Sequence, residues 1–496
     1  MTWGEVSLQG AYFAVLSLLA LYGLHRLSLV ATYLRRPRLG RAGQAPSAAA
    51  WPPVTVQLPI YNESCVVERL VAAACALSYP RGLLEIQILD DSTDETRDKA
   101  AGLAASYRAL GHDIHHLTRP RRDGFKAGAL AGGLRQARGD LIAVFDADFV
   151  PPPDFLLRCV PAFLEPSSSD LGMVQARWAH LNRDDSLLTR AQALLLDGHF
   201  VVEHGARRAA GRFLNFNGTA GVFRRACIEQ AGGWQADTLT EDLDLSYRAQ
   251  LAGWRFDYLA EVAVPAELPS EMNGLRSQQR RWAKGSIQTA VKLLPRILAA
   301  KLPPGVKLEA AAHLTNNAAY LLLALLAVLI VPALKGRQDD PLSYLALDLP
   351  LFALGTGSFA LFCVVAQREV RRDWARGLAA LPALMAIGIG LCLNNGAAVI
   401  EALSGRTSSF HRTPKRGPAG PGRARYAGPR SALVLLEGAF ALWFAAAIAG
   451  AAREGRWAAL PFLTLFGSGF LYITLVTARQ EVERWRTARA RPGEAP

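Results

Sequence analysis

Leu141-Ile-Ala-Val-Phe145-Asp146-Ala147-Asp148 is the stretch on which the reading of this chain turns. An apolar run passes straight into two carboxylates, the pattern of a buried parallel strand ending at the edge of its sheet. Strand geometry carried through Asp148 would point the side chains at i and i+2 the same way. In open α/β sheets ligands bind at the carboxyl ends of the strands, and paired hard oxygen ligands there suit Mg²⁺ or Mn²⁺ carrying a substrate diphosphate. Asp-x-Asp alone also describes a solvated turn, so the surrounding sequence has to decide.

Upstream, strand and helix patterns alternate from Val54 onward. Strands are expected at 54–60, 84–89, 114–117 and 141–145, with helices near 66–76, 96–110 and 126–137. Such alternation with short connections predicts a parallel sheet covered by helices. Polar clusters follow the first, second and fourth strands: Tyr61-Asn62-Glu63, Asp90-Asp91-Ser92-Thr93-Asp94 and Asp146-Ala-Asp148. All should line one rim, as a nucleotide pocket requires. Ser92 or Thr93 reads as the cap of the next helix, which leaves Asp90 and Asp91 to bind a base or ribose. Lys126, among small residues at a helix start, suits a phosphate.

After Pro151-Pro-Pro153 the alternation breaks, and the segment to Pro265 is expected to hold the acceptor side. Asn217-Gly218-Thr219 is a polar loop in apolar surroundings, backbone that approaches a ligand closely. Thr240-Glu241-Asp242-Leu-Asp244 is either a capped helix start or the place of a catalytic base, Asp242, beside an incoming hydroxyl. Residues 275–298 read as a basic amphipathic helix on the inner membrane surface. Gln278, Arg281 and Trp282 near its start either anchor it or hold a sugar.

Half of the 496 residues are apolar (51%), but unevenly distributed. Apolar runs near 6–24, 310–334, 342–365, 378–393, 433–452 and 458–478, carrying no more charge than Asp348 and Glu437, approach the roughly 20 residues needed to cross a bilayer. This predicts an integral membrane protein with one large soluble domain between the first two runs. The net charge of +13 gathers beside apolar runs, at Arg35-Arg36-Pro-Arg38 and over 406–430. That pattern fits the positive-inside rule and anionic headgroups, not nucleic acid. The six cysteines have no zinc spacing and are expected to be reduced thiols in a domain facing the cytosol. The first run is expected to be a retained anchor, with Arg26 snorkelling near its end.

Together these residues resemble the membrane-embedded family 2 glycosyltransferases, the group of cellulose, mannan, hyaluronan and chitin synthases. Asp90-Asp91-Ser92, Asp146-Ala-Asp148, Thr240-Glu241-Asp242 and Gln278-x-x-Arg281-Trp282 stand in that family's order. Val174-Gln175-Ala-Arg177-Trp178 and Phe216-Asn217-Gly218-Thr219-Ala220-Gly221 look most like the mannan and glucomannan synthases. The resemblance implies an α/β GT-A (Rossmann-like, nucleotide-sugar-binding) cytosolic domain joined to a multi-span α-helical membrane region. The donor site would comprise Glu63, Asp90, Asp91, Lys126, Asp146 and Asp148, with Asp91 on the nucleotide and Asp148 on the metal and diphosphate. Mg²⁺ or Mn²⁺ would be held by Asp148 and Asp146. Asp242 would be the base. Gln278, Arg281, Trp282, Glu241, Asn217, Gly218 and Thr219 would serve the acceptor and diphosphate. Phe410-His-Arg412-Thr413-Pro-Lys415 is similar to the gating loop of cellulose synthases, with Arg412 in place of a valine, so that Phe410, Thr413 and Lys415 would close over the nucleotide.

The implied reaction is inverting transfer of a hexose, from UDP-glucose or GDP-mannose, to a growing β-linked polysaccharide. Transfer of one sugar to a membrane lipid is the alternative, and an inactive scaffold or transporter a remote third. Partners would be the nucleotide sugar, a glycan or lipid acceptor, membrane lipids and an accessory export subunit. The expected place is the plasma membrane, or the Golgi membrane in a eukaryote.

Topology needs one adjustment. Three crossings after the soluble domain would put the basic segment 405–430 outside, against the positive-inside rule. Asn394, Asn395 and Glu401 make the second half of 378–403 polar, so it is read as interfacial or re-entrant. The expected domains are an anchor at 1–34, a basic linker at 35–53, the GT-A domain at 54–274, the interfacial helix at 275–305 and two spans within 306–370. Then follow the re-entrant segment and basic loop at 371–430, two spans within 431–480 and a tail at 481–496.

Overall fold

The computed structural model describes residues 3–35, 51–335, 344–406 and 433–490. Seven strands form one sheet: β1 (Val54–Ile60), β2 (Leu84–Asp90), β3 (Asp113–Thr118), β4 (Leu141–Val144), β5 (Leu171–His180), β6 (Gly221–Arg224) and β7 (Arg255–Ala266). Their order is β3-β2-β1-β4-β6-β5-β7. The expected first four strands are present and mutually parallel, with Val54 beside both Leu84 and Leu141. β1, β2 and β4 are buried along their whole length, as their largely apolar sequences require, whereas the edge strand β3 (Asp-Ile-His-His-Leu-Thr) is buried only at Ile114. Helices Val67–Cys75, Thr96–Ala109 and Phe125–Gln136 cover the sheet.

The sheet is mixed, not wholly parallel. β6 runs antiparallel to β4 and β5, pairing Val144 with Gly221, while β7 is parallel to β5. One edge therefore collects the carboxyl ends of β1 to β5 and β7 together with the amino end of β6. β4 also stops at Val144, and Phe149 donates its amide to the Asp146 carbonyl at 3.0 Å. Asp146 and Asp148 thus sit in a turn after the strand, a correction to strand geometry carried through Asp148.

Among the described residues, five helices are long and apolar enough to cross a membrane: Trp3–Arg35, Ala318–Lys335, Ala346–Val370, Leu433–Arg453 and Trp457–Glu483. Trp374–Gly390 and Cys392–Leu403 form a pair bent by 44°. Both outer ends of this pair meet the side of the sheet domain. Ala380 packs with Leu188 and Leu194 of the sheet domain, and Glu401 pairs with Lys284 at 3.2 Å. The middle of the pair, at Gly390, approaches Gly469 and Ile473. The expected span at 310–334 begins instead at Ala318, because Pro304–Thr315 is a separate helix whose Glu309 pairs with Arg207 (2.9 Å) and His25 (2.9 Å).

Met272–Ala299 is one helix, as its period predicts, but it is wedged between the sheet domain and the membrane helices instead of lying on a surface. Arg276 and Lys284 are each only 2% exposed. Arg276 binds Glu437 and donates to Thr477 Oγ1 at 2.8 Å, and Arg280 donates to the Asn394 carbonyl at 2.9 Å. Basic side chains of this helix thus lock it to its neighbours.

Candidate active site

The sheet edge opens into a cavity of about 150 Å³. Its wall includes Glu63, Asp91, Lys126, Asp146, Asp148, Asn217, Gly218, Glu241, Asp242, Gln278, Arg281 and Trp282. Residues spread over more than 200 positions of sequence are thus brought together as expected. Two expected residues do not line it. Asp90, 3% exposed, is tied to His116 Nε2 at 2.8 Å and to the Ser92 amide at 2.8 Å. Burial alone would raise its carboxyl, yet the hydrogen bonds from His116 and Ser92 hold it below the ordinary value. Thr219 is fully buried and accepts the Asp146 amide on Oγ1 at 2.9 Å, so it positions the turn without facing the cavity. Phe410, Thr413 and Lys415 lie outside the described residues.

At the β1–β2 end, Arg119 grips Asp91 with both arms, Nε at 2.9 Å and a terminal nitrogen at 2.5 Å. The Arg122 guanidinium lies 3.4 Å from the centre of the Tyr61 ring. Ser92 and Thr93 do not cap the next helix. They bond Asn62 instead, and Asp94 accepts the Thr96 amide at 3.0 Å. Asn62 takes this position with φ of +52°, backbone strain of the kind that gathers at functional sites.

At the β4–β6 end, Lys126 is the shared cation. Its ammonium stands 2.6 Å from Asp146, 3.8 Å from Glu241 and 2.8 Å from the Gly218 carbonyl. Burial works against its charge, but Asp146 and Glu241 outweigh that and raise it. Asp242 occupies the first turn of helix Glu241–Leu251, where the Leu243 amide donates to its Oδ1 at 2.8 Å. Burial and the adjacent Glu241 push the Asp242 carboxyl up to about 7, against the pull of Lys126 and Arg281. The loop comes so close that a Cβ at Gly218 would stand 2.8 Å from Asp242 Oδ2, and its φ of +83° also requires glycine. Such a carboxyl is half ionised near neutral pH, the poise of a general base.

Among the described residues no group of three or more His, Cys, Asp or Glu forms a metal cage. A Mg²⁺ or Mn²⁺ site of one or two carboxylates completed by substrate phosphates needs none. The donor set fits that type: Asp146 already neutralises Lys126, and Asp148, 2% exposed, is the second carboxylate on the same wall.

Sequence reasoning missed Arg119 and Arg122, although they follow β3 as the other polar clusters follow their strands. It also missed His180 and Glu267, which line the cavity from the ends of β5 and β7. The support behind Asn217 was missed as well. His204 Nε2 lies 2.8 Å from its Oδ1, His199 Nε2 lies 2.8 Å from its Nδ2, and the Gln175 side chain accepts its amide at 3.0 Å. Both histidines come from one π-helical turn, His199–His204. Burial keeps His204 well below its ordinary value, hence neutral.

Comparison with known proteins follows the same outline. Residues 52–285 match the model described as glycosyltransferase like family 2. A probable glucomannan 4-beta-mannosyltransferase 7 of Oryza sativa subsp. japonica is 43% identical over 53% of this chain and 45% of its own length. A glucomannan 4-beta-mannosyltransferase 2 of Arabidopsis thaliana is 42% identical over 50% of this chain and 47% of its own. The aligned region thus spans about half the length of these curated relatives. A mannosyltransferase of Pyrobaculum calidifontis, solved with GDP-mannose and Mn²⁺, shares the fold with a TM-score of 0.53 at 22% identity, over 80% of this chain and 97% of that one. The sheet domain has a GT-A-like fold, and residues 52–285 are similar to the family 2 glycosyltransferases, with glucomannan mannosyltransferases among the matching relatives.

Proposed function

We propose that this chain transfers a hexose from a nucleotide sugar to the end of a β-linked glycan, with inversion at the anomeric carbon. The observation that carries the reading is Asp242 itself: a carboxyl pushed to about 7, on the same cavity wall as Asp146, Asp148, Gln278, Arg281 and Trp282. The nucleotide lies toward Asp91, Tyr61 and Glu63, and the acceptor sugar stacks on Trp282 beside Gln278. Asp242 takes the proton from the acceptor hydroxyl as its oxygen attacks the anomeric carbon. The bond to the diphosphate breaks on the opposite face, and an α-linked donor yields a β-linkage. Lys126 and Arg281 receive the growing diphosphate charge. A divalent ion held through Asp148, with Asp146, would further neutralise that leaving group.

The relatives' names favour a 4-linked β-mannosyl product, which makes GDP-mannose the first donor to try and UDP-glucose the second. The test is to incubate the full chain in lipid with a panel of UDP- and GDP-sugars plus Mg²⁺ or Mn²⁺. Consumption of one donor with a long polymer as product is expected. A glycolipid product would replace the polymer reading, and no consumption of any donor would end both.

The catalytic domain and the basic segment expected at 405–430 are assigned to the cytosolic face. Support comes from Glu401 and Glu437, which flank that segment and both pair with the helix bearing Gln278 to Trp282, at Lys284 and Arg276. The bent pair is then re-entrant, and a cysteine label applied from outside should not reach positions 405–430.

A further inference from the structure

A second cavity, about 250 Å³, lies among the membrane helices. Its lining is graded. Nearest the catalytic domain stand Arg26, Tyr22 and Tyr320; farther along the same helices come Leu16, Leu326 and Phe352, with Phe466 across from them. The orientation is fixed at both ends. Leu29, Val30 and Tyr33 pack with the sheet domain, whereas Leu16 packs with Leu326, Phe352 and Phe466. A smaller cavity of about 30 Å³, which shares Tyr320 with this one and Gln278 and Trp282 with the active site, stands between them.

Arg26 is the anomaly. Other arginines at this junction have carboxylates: Arg207 has Glu309 and Arg276 has Glu437. Among the described residues Arg26 has no carboxylate within ion-pair distance; it reaches only Ser358 Oγ at 3.5 Å and the Phe359 ring at 5.1 Å. A guanidinium in apolar surroundings is costly unless an anion joins it. A glycan would leave its hydroxyls without partners along the leucine and phenylalanine end, which suits a hydrocarbon chain.

We infer that this cavity is a binding site for a phosphate-bearing membrane lipid, its phosphate on Arg26 between Tyr22 and Tyr320 and one hydrocarbon chain running toward Phe352 and Phe466. Arginine's planar donor fork suits phosphate oxygens, and the gradient of the lining matches head to tail. The site does not depend on the proposed reaction, since it holds whether the lipid is a resident of the site or an acceptor.

The test uses the full chain, loaded in vesicles of phosphatidylcholine with phosphatidylglycerol, extracted, and washed in neutral detergent. Retained phospholipid is then counted by mass spectrometry. Wild type should keep one phosphatidylglycerol per chain. Arg26→Gln should lower retention at least about tenfold, the loss of one charge-assisted contact, and Arg26→Lys should keep most of it. Leu19→Trp, which fills the apolar end without touching Arg26, should lose the lipid too. Melting temperatures close to wild type would show that the variants are folded, and excess inorganic phosphate should not displace the lipid. Equal retention in wild type, Arg26→Gln and Leu19→Trp would overturn the site. So would displacement by inorganic phosphate alone, which would mean a free-phosphate site, or by soluble β-mannan oligosaccharides, which would make the cavity a glycan path.

Discussion

The two ends of the active-site cavity neutralise their acids in opposite ways. At the β1–β2 end each aspartate has its own partner, Asp90 with His116 and Asp91 with Arg119. At the β4–β6 end Asp146, Glu241 and Asp242 gather around one lysine, Lys126, with Arg281 beyond it. In the first arrangement each carboxylate is held by hydrogen bonds from a partner of its own, which suits recognition of a nucleotide. The second carries surplus negative charge, and that surplus, added to burial, raises Asp242 into the range of a base at neutral pH. On the proposed reading, recognition and reaction occupy one sheet edge under different electrostatic rules.

The sharpest way to break the comparison is Asp242→Asn. Loss of a positioned base is worth about 10²–10⁴-fold in rate, and kcat should fall by that much while nucleotide-sugar binding, read by calorimetry, stays within a few fold. Equal loss of binding would place Asp242 among the recognition groups. The wild-type pH profile tests the same residue. A base whose carboxyl stands near 7 is protonated below that pH, so kcat/KM should rise with pH through about 7, falling about tenfold per unit well below it. A profile flat between pH 5 and 8 would mean that Asp242 does not limit the reaction.

Lys126→Met comes next. It removes the cation that counters Asp146, Glu241 and Asp242 at once, and a charge-assisted contact is worth about 1.5–3 kcal/mol. The expected loss in kcat/KM is about 10–100-fold, and the acid limb of the profile should move to higher pH, because Asp242 loses the ammonium that favours its ionised form. A limb that stays put would assign Lys126 to the phosphates alone.

Much of this contrast is legible in the order of residues along the chain. Strands β1, β2 and β4 announce themselves because burial on both faces demands apolar residues at most positions, and polar residues at their ends have nowhere to go but the edge; β3, on the sheet's edge, is marked only by Ile114 and Leu117 among polar residues. The second half of the sheet is not legible in the same way. β6 is only Gly221–Arg224, and its place between β4 and β5 is set by tertiary pairing, not by any period in the sequence. Nor is the neutralisation pattern. Arg119 reaches Asp91 from the end of the neighbouring strand, 28 positions away in sequence, and His199 and His204 reach Asn217 from a π-helical turn, so nothing local marks either. The membrane spans are visible by length and hydropathy, and the break between Thr315 and Ala318 is marked in the sequence only by Asn316 and Asn317 within an otherwise mostly apolar run. Arg26 reads as a snorkelling end charge, whereas the fold faces it into a cavity.

The smallest effect is expected at the β1–β2 end. Asp91→Asn keeps the shape of the side chain and removes its charge, so Arg119 loses a bidentate ionic partner but keeps an acceptor oxygen. Because the group is assigned to binding and not to the chemical step, the loss should appear in KM, about tenfold, with kcat nearly unchanged. The pH profile should not move, since no transfer-end acid changes its neighbours. A fall in kcat matching the rise in KM would show that the recognition end also aligns the reacting carbon. A shifted acid limb would show that the field of Asp91 reaches Asp242, and the division into a paired end and a poised end would then be one of degree.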